Sequence, residues 1–278
     1  MKAIRLCLVA WSCSVLGLAH ADPSLLTLPC YGADGAPLAH TETFAIRAAD
    51  LEAGRPPIKA DAHDGKCAIA LEPGAYWVKA QSPEWRSVPV LVRWPARSID
   101  RVLTMIPMNG RDSARQQALS AMVRRDQEVR NALSDAQRAG DVDRVAQLEQ
   151  DMRAVDSENE SQLRQWLAES GFPRAADVGF SGVSDAWLLI QHSQMIADQL
   201  PAMRAAAEAG ELARSNLALS EDRARMYAGQ PQRYGSQLKS GTDGKLALYP
   251  LESAEQVDAW REAMDLEPLA DYLKHFEH

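Results

Sequence analysis

The chain has 278 residues, 46% of them apolar and 24% charged, and its 38 acidic against 30 basic side chains give a net charge of −8. An acidic chain without clustered Lys and Arg argues against nucleic acid as a partner, because phosphate contacts need a basic patch. The length suffices for two modest cores, and beyond the N-terminus no stretch has the ~20 consecutive apolar residues that span a bilayer.

The first 21 residues read as a secretory signal. Lys2 and Arg5 supply the positive start, residues 6–18 the apolar stretch, and Ala19-His20-Ala21 the small-x-small pattern that predicts a cut after Ala21. The expected location is therefore periplasmic or secreted. Cleavage leaves 28 basic against 38 acidic side chains and removes Cys7 and Cys13. Cys30 and Cys67 remain. In an oxidising compartment an isolated pair is most simply a disulfide, which on the chain-entropy model stabilises the fold by ~4 kcal/mol; two buried thiols are the alternative. Neither cysteine has a second ligand at metal-site spacing, so no metal is expected, and nothing in the chain asks for a cofactor.

Short strands are predicted over residues 25–28, 43–47, 68–71, 75–80, 88–94 and 101–106. Turn signals such as Ala33-Asp34-Gly35, Asp64-Gly65 and Pro73-Gly74 separate them. Spacing this close predicts a small β-sandwich. The segment from Asp64-Gly65 through Leu71, Pro73-Gly74, Tyr76 and Val78 resembles a hairpin of transthyretin-like or carboxypeptidase-regulatory-like modules. The resemblance covers about 15 residues and implies an accessory module without catalytic residues.

From Ser113 the period changes. Leu119, Met122, Val123, Val129 and Leu133, then Val145, Leu148, Met152, Val155 and Leu163, repeat at helical steps on either side of Gly140-Asp141. This predicts an αα-hairpin of two long helices, ended by Gly171-Phe172-Pro173. Further helices are expected over 185–199 (capped by Ser184), from Pro201 to Gly210, and from Ser215 to Ala228. A β-hairpin over 236–249, a helix over 253–264 and a short one from Pro268 complete the chain. The predicted class is α+β in two domains: a β-sandwich accessory domain over 22–108, and over 109–278 a mainly helical domain with a long αα-hairpin, a helical bundle and one short β-hairpin.

The second half carries polar groups that are costly to bury without partners. On a continuous helix His192 and Gln199 share the face of Leu188 and Met195, with Gln191 about 100° away. Asp222 and Arg223 are adjacent on the next helix but one and cannot form one ideal ion pair together. Gln230, Gln232, Tyr234 and Gln237 follow in a stretch that Pro231 and Gly235 keep from being helical. The proposed ligand set is Gln191, His192, Gln199, Asp222, Arg223, Gln232, Tyr234 and Gln237.

These residues stand in a recognisable order. Gly171-Phe172-Pro173, Trp187, Gln191-His192, Asn216-Leu217-Ala218, Asp222-Arg223, Gly229-Gln230-Pro231-Gln232 and Tyr234-Gly235-Ser236-Gln237 together resemble a bacterial family known only as a domain of unknown function. Upstream, Asp126-Gln127 and Arg130 match an Asp-Gln and an Arg of its pattern. Ser193-Gln194 stand where the pattern has Ala-Asp, and Ser236 where it has Thr. The resemblance covers roughly residues 115–275 and implies a single helical domain that gathers these polar side chains.

No His-Glu-x-x-His helix, phosphate loop or Gly-x-Ser-x-Gly elbow is present. Three readings are open. The helical domain binds a polar ligand or an envelope protein; or it hydrolyses an envelope polymer with His192 and Asp222 as acid and base; or its polar groups satisfy one another and the protein is structural.

Overall fold

In a computed structural model, residues 25–32, 41–51, 54–63, 66–95, 103–240 and 246–276 are described. The signal expected over residues 1–21 lies outside these, as do the turns at 33–35 and 64–65 and the hairpin tip. The N-terminal region holds β1 (Leu25–Gly32), β2 (Glu42–Arg47), the single-turn α1 (Ala48–Leu51), β3 (Ile58–His63), β4 (Lys66–Ala70), β5 (Gly74–Gln81), β6 (Trp85–Ser87), β7 (Val90–Trp94) and β8 (Leu103–Pro107). Hydrogen bonding runs β2-β3-β4-β1-β8-β6-β5-β7, and a further β2–β5 pairing closes a ring beside which β7 lies on β5. The β-rich region thus has a closed, barrel-like form, which leaves fewer open strand edges than two separate sheets.

Alternation sets the inner face: in β5, Tyr76, Val78 and Ala80 are buried between half-exposed neighbours. They meet Leu26, Leu28, Ile69, Leu103 and Met105 in one apolar cluster. Cys30 and Cys67, both fully buried, form a disulfide between β1 and β4 with Cα atoms 6.0 Å apart. Two expectations change. The run predicted over 88–94 begins only at Val90, as β7, because Pro89 cannot donate to a ladder, and the unpredicted β6 precedes Val88-Pro89. The strand β3, with Lys59 and Asp61 in its middle, had too little apolar alternation to be predicted.

The helical domain comprises α2 (Ser113–Ala139), α3 (Val142–Ser170), α4 (Ala175–Gln191), α5 (Ile196–Glu208), α6 (Arg214–Tyr227), the hairpin β9 (Leu238–Ser240) and β10 (Leu246–Leu248), α7 (Val257–Ala263) and α8 (Leu269–Lys274). Asp112 caps α2 by accepting from Arg115 N at 2.9 Å, and Asp141 caps α3 through Arg144 N at 3.0 Å. Gly140, left-handed at φ 69°, turns one into the other.

The helix expected over 185–199 is two helices. The first, α4, starts ten residues early, at Ala175, whose amide is taken by the Glu211 carboxylate at 3.0 Å. It stops at Gln191, with His192 as its C-terminal cap residue. The amides that a continuous helix would use find other partners. Ser193 Oγ accepts from Met195 N at 3.1 Å, and Glu160 from Gln194 N at 3.2 Å. Pro201 lies inside α5 rather than opening a helix, and α6 starts at Arg214 without a side-chain cap from Ser215.

The two regions meet tightly. A Cβ on Gly110 would lie 2.0 Å from Asp177 O, and one on Gly179, where φ is +70°, would lie 2.5 Å from Met108 O. Backbone bonds from Arg111 N to Ala176 O and from Asp112 N to Asp177 O tie the strand exit to the start of α4. Ile106 of β8 is buried in the helical core among Leu119, Val178 and Val183, with Val88 packed against it. The Arg86 guanidinium lies 4.8 Å from the centre of the Phe180 ring. Among the described residues no helix is long and apolar enough to cross a membrane.

Candidate functional site

The inward stripe of α2 runs Leu119, Asp126, Leu133 at seven-residue steps, so a carboxylate occupies a position that packing would give to an apolar side chain. Asp126 is fully buried. Its carboxylate takes His192 Nδ1 at 3.0 and 3.1 Å, Arg130 Nε at 3.0 Å and Gln127 Nε2 at 2.8 Å. Arg130 also donates Nη2 to Asp156 of α3 at 2.5 Å and directs Nη1 to the Met152 sulfur at 3.2 Å. Burial alone pushes the Asp126 carboxyl up, but the hydrogen bonds and charge of His192, with Gln127 and Arg130, outweigh it and hold the group below the usual carboxylate range. For Asp156 burial wins over Arg130, and its carboxyl is raised.

An ionised carboxylate can only accept, so His192 donates from Nδ1. In its neutral form the imidazole carries its lone pair on Nε2. That atom makes no hydrogen bond among the described residues, and the side chain keeps 16% of its surface open.

Arg223 comes to the same corner from α6. Its Nη1 donates to Gln191 O at 2.9 Å and its Nε to Gln237 Oε1 at 3.1 Å. Both acceptors are neutral. No carboxylate pairs with Arg223 among the described residues, and burial lowers its pKa, helped by the like charge of Arg130. The remaining nitrogen, Nη2, has no partner and is not buried.

The glutamine-rich bend has a different use. Asp222, fully buried, accepts from Arg233 N (2.7 Å), Tyr234 N (3.0 Å), Ser236 N (3.0 Å) and Ser236 Oγ (2.9 Å). Gln232 Oε1 accepts from Gln237 N at 2.8 Å, while its Nε2 donates to Gln237 O and Tyr249 O. Tyr234 donates its hydroxyl to Glu221 at 2.9 Å, and burial raises its pKa. Arg261, 1% exposed, donates to Tyr234 O at 2.6 Å. These groups close on one another and fix the bend.

The carboxylate on His192 is therefore Asp126, not the expected Asp222, whose acceptor capacity is spent on backbone amides. Gln199 is not at the corner either. Since α4 ends at Gln191 and α5 begins only at Ile196, the shared face does not exist, and Gln199 lines a separate shallow groove with Arg164, Leu167 and Asp198. Of the expected set, the chain brings together His192, Arg223, Gln237 and the backbone of Gln191. The buried Gln191 side chain turns to α6, where Ser220 Oγ approaches Oε1 at 3.1 Å and Nε2 has no partner. Sequence reasoning missed Asp156 and gave Asp126 and Arg130 no role. The signal was available for Asp126, as an acid in phase with Leu119 and Leu133.

Fold and site define a two-part α+β protein whose helical half packs around an inner carboxylate–imidazole–guanidinium cluster. The chain belongs to a family of unknown function, DUF6624, whose model matches residues 113–278. Comparison with curated proteins and with solved structures gives no match.

Proposed function

We propose that the helical domain binds an anionic polar ligand at the corner where α4 ends against α6, with Arg223 as the charged contact and His192 beside it. One observation carries this reading: Arg223 is partly removed from water, yet its two partners are neutral oxygens. A half-buried guanidinium with only neutral partners lacks a counter-ion, and an anion on Nη2 supplies one. The Cys30–Cys67 disulfide is compatible with an exported protein, as is the lack of a spanning helix among the described residues. The reading accordingly takes the ligand from the cell envelope or beyond, with the β-rich region as an accessory module. Calorimetric titration with sodium acetate tests it: saturable heat in the wild type that Arg223→Gln abolishes supports the site, and binding unchanged in that variant removes it.

A second reading has its own support. The Asp126–His192 bond leaves Nε2 as a proton acceptor facing solvent, the arrangement of a general base held by a carboxylate. A hydrolase of an envelope polymer would use His192 with Asp126 rather than with Asp222. It predicts that His192→Gln stops turnover of a bound polymer without weakening its binding, whereas equal loss of both argues for binding alone.

A further inference from the structure

Resting on the anion site just proposed, we infer that its ligand is an acidic sugar: a pyranose ring bearing a carboxylate, as a free saccharide acid or as a unit of an acidic glycan. Aromatic side chains stand on both sides of Arg223. Tyr227 lies four residues further along α6, on the same helix face, and is 56% exposed. Tyr272 of α8 donates its hydroxyl to Ser236 O at 3.1 Å, next to the Gln237 that holds Arg223 Nε. Its ring meets Phe276, 40% exposed, edge-on with centroids 5.1 Å apart. The hydroxyls of Tyr227 and Tyr272 are both near enough to Arg223 to act on its charge.

Three open features are thus linked through Arg223 and its partners Gln191 and Gln237, and each asks for a different group. Arg223 Nη2 asks for an anionic oxygen. His192 Nε2, as the lone-pair nitrogen, asks for a hydroxyl or N–H donor. Tyr227 and Phe276 offer exposed ring surface, backed by the half-buried Tyr272, whose ring has the Arg261 guanidinium 4.9 Å from its centre. A sugar acid supplies all three: the carboxylate, the ring hydroxyls, and the C–H face of the pyranose. Acetate lacks the last two. A phosphate dianion is poorly matched to one open guanidinium nitrogen beside the carboxylates of Asp126 and Asp156. Two of the three Arg223 nitrogens are held by protein, so the contact is single-pronged and suits one negative charge.

The test is calorimetric titration of the protein with sodium glucuronate, glucose, sodium acetate and the dipeptide Ala-Glu. Glucuronate is expected to bind at least ~10-fold more tightly than acetate or glucose, a difference of about 1.4 kcal/mol. Tyr227→Ala, at an exposed position that leaves the core untouched, should erase most of that advantage and bring the affinities for glucuronate and acetate together. Glucuronate no tighter than acetate, or Ala-Glu tighter than glucuronate, overturns the sugar assignment. Acetate binding that still needs Arg223 in that case leaves the anion site standing. Absence of any Arg223-dependent binding removes both.

Discussion

Replacing Asp222 distinguishes a structural carboxylate from a catalytic one. In Asp222→Ala, three backbone amides and one hydroxyl lose their acceptor in a site from which water is excluded. An unmet buried donor costs ~1–3 kcal/mol. At the low end of that range for each, the loss is about 4 kcal/mol, a large part of the ~5–15 kcal/mol that holds a domain together. Asp222→Asn is expected to recover little. Its carbonyl oxygen can still serve Arg233 N and Tyr234 N, but its NH2 then faces Ser236 N, donor against donor. Urea unfolding followed by circular dichroism reads the loss as a lower midpoint. Hydrogen exchange should show the amides of residues 233, 234 and 236 opening first, while those around Asp126 stay protected. A loss below ~1 kcal/mol for the alanine variant, with the three amides still protected, would refute the reasoning. It would return Asp222 to the list of groups free for chemistry.

Gly179→Ala combines a left-handed φ of +70° with a Cβ 2.5 Å from Met108 O, so it should destabilise by more than ~2 kcal/mol. Gly140→Ala, equally left-handed but in open space, should lose only about 1 kcal/mol, and urea midpoints compare the two. Reduction of Cys30–Cys67 should lower the melting temperature, with a stability loss of up to ~4 kcal/mol, read by calorimetry with and without reductant. The half-buried Asp185 has the Ser120 hydroxyl as its partner at 2.7 Å, and burial raises its carboxyl pKa. A raised folded pKa means the folded state holds the proton more tightly, so its contribution favours folding at low pH and is lost as pH rises through that pKa. Asp185→Asn should therefore raise the melting temperature at pH 7 and leave it nearly unchanged at pH 3. Asp126 has the opposite sign: its depressed pKa contributes stability above the ordinary value of 3.8, lost as pH falls below it, and Asp126→Asn should flatten that acid limb in pH-dependent unfolding.

The long helical hairpin was readable because its signals are local: apolar side chains at helical steps, an interruption at Gly140-Asp141 and a stop at Gly171-Phe172-Pro173. The break after Gln191 was not, because the groups that create it are distant. Glu160 on α3 claims the Gln194 amide, and no periodicity in residues 185–199 registers that. The same blindness misassigned the partner of His192. Asp222 and Asp126 are both acids on helices, and only the packed bundle shows that one faces backbone amides and the other an imidazole. Arg223 and Gln237 were marked as polar groups needing partners, and they hydrogen-bond to each other. Gln199 was marked by a face that exists only if the helix is continuous. In the β-rich region the strands with apolar alternation were legible, whereas β3 is held by the neighbours that flank it, through Thr43↔Ala60 on one side and Ala62↔Cys67 on the other.

The seat of Ile106 has a bearing on how this protein can be dissected. A polypeptide cut to begin at Ser113 would keep every residue of the αα-hairpin yet lose the plug that β8 inserts between Leu119 and Val183. Water would reach the middle of the bundle through the gap. The segment matched by the family thus leaves out a side chain on which its own core packs, and an excised bundle that proves insoluble would say nothing against the fold of the whole.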